Sequence, residues 1–186
     1  MLHHLEEYGK YAVITGYRNV SFALAEAFLK ANRKQPMLVD IQFFDADLIA
    51  TQEHLYFAVL NALQAFRGKT AVSKTVAVET MLYASAKRQI QKAIDQIGIK
   101  PQTNNMAVVA LSDEPSVIEA VLQALSAAIG CEPDDTVLEL TKEKQEKISK
   151  VFQISPKELE AQANSDMGEA LVDSVVEQVA LLSTQI

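Results

Sequence analysis

Apolar positions in this chain fall into short periodic blocks, some spaced for strands and some for helices. Tyr11 to Thr15 reads YAVIT, a run of strand formers. Met37, Val39, Ile41 and Phe43 alternate with Leu38, Asp40 and Gln42. That period of two predicts a strand opened by Pro36, with one face more buried than the other. Met106 to Leu111 (MAVVAL) is apolar without a break, as expected of a strand covered on both faces. Helical spacing fills the intervals. After a turn at Gly16–Asn19, with Asn19 or Ser21 as cap, a helix over about Phe22–Asn32 places Leu24, Phe28 and Leu29 inward. Residues 52–66 carry Leu55, Val59, Ala62 and Phe66 on one face and stop at Arg67-Gly68-Lys69. Val76–Tyr83 turns Val78, Met81 and Leu82 inward. A further helix follows Ser85, buries Ile90, Ala93, Ile94 and Ile97, and ends at Gly98. The last helix of this part begins near Ser112 or Asp113, shows Val117, Val121 and Leu125, and ends at Gly130.

Cys131-Glu132-Pro133-Asp134-Asp135 is the one plausible boundary. Beyond it, Thr141–Phe152 is a charged helix with Ile148, Val151 and Phe152 on one side. Ser155-Pro156-Lys157-Glu158 has the form of a capping box with proline at the first helical position. A final helix over about 166–183 carries Leu171, Val172, Val175, Val176, Val179 and Leu182. Its wide stripe either docks on the protein's own sheet or forms a surface for a partner. The expectation is an α/β (α+β) fold: a small central sheet of three to five strands, covered by several helices. Residues 1–130 form the core, and an acidic helical segment over 131–186 packs on it or extends it, one domain overall.

Charge divides the chain in the same place. Residues 1–130 are neutral, with 12 Lys/Arg and 12 Asp/Glu, whereas 131–186 hold 5 against 12 and carry the whole net charge of −7. Within the neutral part, residues 67–100 hold seven cations and only Glu79 and Asp95 as anions. An acidic chain does not coat nucleic acid indiscriminately, but a local basic patch can grip one part of an RNA, or be plain solvated helix surface. A single cysteine, Cys131, excludes an internal disulfide framework and suits a reducing, cytoplasmic setting. No apolar run approaches the roughly 20 residues of a membrane span, and the N-terminus lacks a signal-peptide layout.

Motifs for catalysis are nearly absent. There is no nucleophile elbow, phosphate loop, dinucleotide fingerprint or zinc-protease helix. His3 and His4 lack a third ligand at metal-binding spacing and belong to an exposed polar terminus. Asp40, Asp45 and Asp47 lack the spacing and glycine of a calcium loop. No cofactor or metal is expected. His54 and Glu79 would form an acid–base pair only if their helices converge; otherwise His54 satisfies backbone and Glu79 pairs with Arg88. A non-enzymatic role is the expectation, with a small hydrolytic or acyl-transfer enzyme as the minority reading.

One long spaced pattern is specific. His54-Leu55, Ala58, Ala62, Phe66, Ser73-Lys74, Glu79, Leu82-Tyr83-Ala84-Ser85, Arg88-Gln89-Ile90, Ala93-Ile94 and Gly98-Ile99 together resemble one family. It is the small kinase-binding subunit of the KEOPS complex, the TPRKB-like proteins, in an archaeal version. That complex makes threonylcarbamoyl-adenosine beside the anticodon of tRNA. The resemblance implies a non-catalytic regulatory subunit. It would dock on an atypical RIO-like kinase/ATPase, and through it on the threonylcarbamoyl-transferase subunit, and would hold the CCA tail of tRNA. Two surfaces are then needed. Val175, Val179 and Leu182 are the candidates for the kinase. Lys74, Lys87 and Arg88, with Lys69, Arg67 and Tyr83 behind them, are the candidates for RNA, pairing cations with a ring for unstacked bases. Arg88 falls on the family's Arg-Gln-Ile pattern and Lys74 follows Ser73 as in the family; the others rest on charge and proximity in the chain. The rival reading is a protein–protein adaptor that never touches RNA.

Overall fold

The structure, a computed structural model, describes residues 1–32, 38–162 and 166–184. Among these residues, the strands are β1 (Leu2–Leu5), β2 (Lys10–Tyr17), β3 (Asp40–Asp45) and β4 (Met106–Ser112). They form one antiparallel sheet in the order β1-β2-β4-β3. The helices are α1 (Phe22–Asn32), α2 (Gln52–Arg67), α3 (Val76–Ala84), α4 (Ile90–Ile97), α5 (Pro115–Ile129), α6 (Lys142–Phe152), α7 (Pro156–Gln162) and α8 (Met167–Leu181). The small helix-covered sheet is the α+β fold that the hydrophobic pattern predicts.

Strand β4 sits between β2 and β3, and all seven of its residues are buried. Its alternate side chains feed two apolar layers. Ala107, Val109 and Leu111 join Ala12, Ile14 and Phe44 beneath α2 and α3. Met106, Val108 and Ala110 join Tyr17, Ile41 and Phe43 beneath α1 and α5. A third cluster ties α6, α7 and α8 together through Ile148, Phe152, Leu159, Leu171 and Val175.

Several expectations change. The strand expected from Pro36 is described from Asp40 onward; Pro36 and Met37 lie outside the described residues. Its alternation does not divide a wet face from a dry one, because helices cover both sides and Ile41, Gln42, Phe43 and Phe44 are all buried. The polar lead-in is not a loose terminus but the strand β1, zipped to β2 with Leu2 opposite Val13 and Leu5 opposite Lys10. His4 stacks on Tyr11 and His3 lies against Tyr56. Helix α1 is rotated by one residue from the expectation, burying Ala25 and Leu29 and leaving Leu24 47% exposed. Helix α4 buries Ala93 and Ile97 but turns Ile90 and Ile94 outward, 41% and 38% exposed. It is only about two turns long and rests on its small residue, so the isoleucine edge stays in solvent.

The acidic C-terminal segment packs closely on the sheet. A short 3-10 turn over Asp135–Leu138 crosses β2 at Gly16, whose carbonyl accepts from the Asp134 amide at 2.7 Å. A Cβ on Gly16 would lie 2.2 Å from Val137 and 2.8 Å from the Asp134 carbonyl, so only glycine permits the crossing. Asp135 takes the Thr15 hydroxyl at 2.6 Å, and Asp134 pairs with Arg18 at 2.8 Å. The Ser155–Glu158 capping box is present in both directions. Helix α8 lies against α2. Val175 and Val179 are fully buried and Leu182 is 4% exposed, so the three side chains assigned to a partner face inward. The stripe is wide because it serves two layers: Val179 and Leu182 enter the core under α2, while Leu171, Val172 and Val175 enter the α6–α7 cluster.

Candidate functional site

Helix α3 ends at Ser85, and Ala86 then takes a left-handed conformation, φ 51°. The Lys87 amide closes the turn onto the Leu82 carbonyl at 3.0 Å. This tight reversal brings Lys87, Arg88 and Gln89 to the surface in succession, and α4 starts at once and adds Lys92. The end of α8 comes alongside with Gln178 and Leu181. Together they line a groove of about 420 Å³. Its walls are cationic and hydrogen-bonding, with Leu181, 46% exposed, as the apolar element. Ile90, directly after Gln89, is turned to solvent outside the groove lining.

Arg88 is fixed. One guanidinium nitrogen donates to the Leu182 carbonyl at 3.2 Å, just beyond α8, where a cation favours the helix dipole. The same side chain walls a smaller hollow of about 90 Å³ with Thr70, Glu79, Tyr83 and Leu182. Tyr83 is buried, and burial first, then the Glu79 charge, raises its phenol above the ordinary value while Arg88 opposes the rise. Glu79 is 3% exposed, and its carboxylate accepts from the amides of Val72 at 3.1 Å and Ser73 at 2.8 Å. A helix-borne carboxylate thus sets the shape of the loop carrying Lys69 and Lys74.

The structure therefore unites Tyr83, Lys87 and Arg88, and leaves Lys69 and Lys74 exposed on the loop beside them. Arg67 turns elsewhere: it pairs with Glu7 at 2.5 Å and lies over the Tyr8 ring at 5.2 Å. Its charge is spent on the β1 side. Lys92, Gln178 and Leu181 are site residues outside the candidate set, and Gln89 enters it as more than part of the family pattern. Lys92 was visible as part of the basic stretch and Gln89 follows Arg88 directly; Gln178 and Leu181 are brought in by a contact between segments roughly ninety residues apart.

The acid–base pair has no free partner to offer. His54 is fully buried, its Nδ1 accepts from the Ala50 amide at 3.2 Å, and its Nε2 donates to the Ala84 carbonyl at 2.8 Å. Burial pulls its pKa down to about 4. Glu79 is bonded to loop amides, not to His54. The three aspartates are likewise committed or separate. Asp45 takes the Thr103 hydroxyl at 2.9 Å and Asp47 takes Lys147 at 2.8 Å. Among the described residues, no group of His, Cys, Asp and Glu is placed to hold a metal ion, and no helix is long and apolar enough to cross a membrane.

Comparison with known proteins places this geometry in context. The family described as kinase binding protein CGI-121 matches residues 17–183. The chain is similar to the regulatory protein Cgi121 of Methanocaldococcus jannaschii, 32% identical over 113 residues, which are 61% of this chain and 70% of that protein. It is also similar to the EKC/KEOPS complex subunit cgi121 of Schizosaccharomyces pombe, 29% identical over 100 residues, 53% of this chain and 55% of that protein.

Proposed function

This chain belongs to the kinase binding protein CGI-121 family, and from that premise we propose that it is a non-catalytic regulatory subunit of a KEOPS complex that recruits tRNA by its unpaired CCA tail. It meets the complex's atypical RIO-like kinase/ATPase through a surface other than the inward stripe of α8. The regulatory role is supported by the names of the relatives, one a regulatory protein and one a KEOPS subunit. The RNA role rests on one observation: the groove at the α3–α4 turn, where Lys87, Arg88 and Lys92 converge beside the exposed Leu181. Phosphates of a single strand need cations at close intervals, and unstacked bases need flat or apolar surface. A groove bounded by two helix ends offers both without engaging a duplex. The overall charge of −7, carried by residues 131–186, disfavours indiscriminate binding over the whole surface.

The test compares intact tRNA with tRNA lacking its CCA tail, across a salt series. Intact tRNA is expected to bind better, with about 0.7 log units of affinity lost per decade of salt for each phosphate contact. Lys87→Glu with Lys92→Glu should abolish the difference between the two RNAs and leave kinase binding intact. Equal, weak binding of both RNAs would instead support an adaptor that meets only protein partners.

A further inference from the structure

Lys144 lies in the first turn of α6 and is only 6% exposed. Its Nζ donates one hydrogen bond, to the Val137 carbonyl at 3.0 Å, and among the described residues it joins no ion pair. The neighbouring Lys147 is its opposite, half-exposed and clamped by Asp47 and Glu143 at 2.8 Å each. Between them opens a polar hollow of about 360 Å³, bordered by Lys144, Arg18, Asn104, Asn105, Thr136 and Thr141. An ammonium with three donors is thus buried with one acceptor, at the edge of a space with room for a small substituent. The proposed regulatory role and the groove at the α3–α4 turn make no use of it.

We propose that Lys144 is an acyl-acceptor lysine, the position at which small activated acyl donors such as acyl phosphates and thioesters modify this chain. The free amine attacks the acyl carbonyl, a C–N bond forms, the bond to phosphate or thiolate breaks, and the surplus proton leaves to solvent. The product is a neutral amide whose single N–H still serves the Val137 carbonyl, while its acyl group takes the hollow. Burial holds the amine down to about 8, against the opposing pull of Asp47, Asp45 and Glu139. Asp47, Glu139, Glu143 and Lys147 also border the hollow, and Arg18 and Lys147 are themselves neutralised by Asp134 and by Asp47 with Glu143. At pH 7.5 roughly 100-fold more of Lys144 than of an ordinary lysine is the nucleophilic free amine. Lys147 is held above the ordinary range by the hydrogen bonds it donates to Asp47 and Glu143 and stays an ammonium.

The experiment is competitive labelling of the folded full chain with trace acetic anhydride between pH 6 and 11, and with acetyl phosphate at pH 7.5, read lysine by lysine by mass spectrometry. Lys144 should acquire acetyl at least about tenfold faster at pH 7.5 than the exposed Lys157 and Lys150, with a labelling midpoint near the free-amine range just given. Lys147 should label last. Lys144→Met removes the fast site without creating another. Labelling of Lys144 no faster than that of Lys157 at pH 7.5, or a midpoint above pH 10, overturns the proposal.

Discussion

His54 holds three segments in register: the Ala50 loop through Nδ1, the end of α3 through Nε2, and α6 through an edge-on contact with Phe152 at 5.6 Å. Its neutral form is the folded form. Since burial lowers its pKa to about 4, the unfolded chain binds this proton near pH 6.5 while the native chain refuses it. Stability from this group is complete above pH 6.5 and is lost as pH falls toward 4, by an amount on the order of 3 kcal/mol. Denaturant midpoints of wild type and His54→Gln between pH 7.5 and 4.5 check this: the wild type should lose the more of the two on acidification. Gly16 is the second residue with a stated consequence. Gly16→Ala forces a methyl into Val137 and the Asp134 carbonyl and should destabilise by about 2 kcal/mol, visible as a drop in the thermal midpoint. Residues of this kind mark the limit of sequence reading. Glu79, Lys144 and His54 are polar by type and buried by neighbours roughly a hundred residues away, so nothing in their local pattern announces burial.

At the scale of the element, α8 shows why a stripe alone does not disclose its occupant. Its apolar width is the same whether it meets a partner or its own core, and here α2, α6 and α7 claim it. Val175→Asp puts an unpaired charge into that core and should cost about 3 kcal/mol or more, unfolding the C-terminal helices together with the α2 face. Leu181→Asp, on the exposed edge of the same helix, should leave the thermal midpoint within about a degree and instead weaken binding of the CCA tail. Circular dichroism melts of the two variants separate a core helix from a docking helix. Elements with strong periods and full burial were legible: β4 as an unbroken apolar run, α2 by its stripe and its stop at Gly68, α7 by its capping box. Helix α4 was half legible, because four apolar positions in two turns exceed what a two-turn helix can bury. Strand β1 was not legible, since two adjacent histidines, His3 against Tyr56 and His4 stacked on Tyr11, hide the alternation of a four-residue edge strand.

At the scale of the molecule, the two halves of the charge distribution lie on a single packed body, so the acidic segment and the basic groove act through one field. The groove itself joins residues 86–92 to 178–181, and no reading of either stretch foretells the other. Of the side chains lining the groove, Lys87, Arg88 and Lys92 stand out by charge, whereas Gln178 and Leu181 come in only by folding. The strand order carries a different consequence, one for how the chain is made. β2 and β3 share no hydrogen bonds; each pairs with β4, which is the last strand along the chain. During synthesis the sheet has no centre until residue 112 has left the ribosome, and two apolar strand edges wait unpaired for that time. A fragment ending at Asn105 should therefore remain unfolded and aggregate, whereas one extended through Ser112 and α5 should gain a protected sheet in hydrogen exchange. Translation speed across the segment from α2 to α4, which separates β3 from its partner, then becomes a control on how much of this protein reaches the native state.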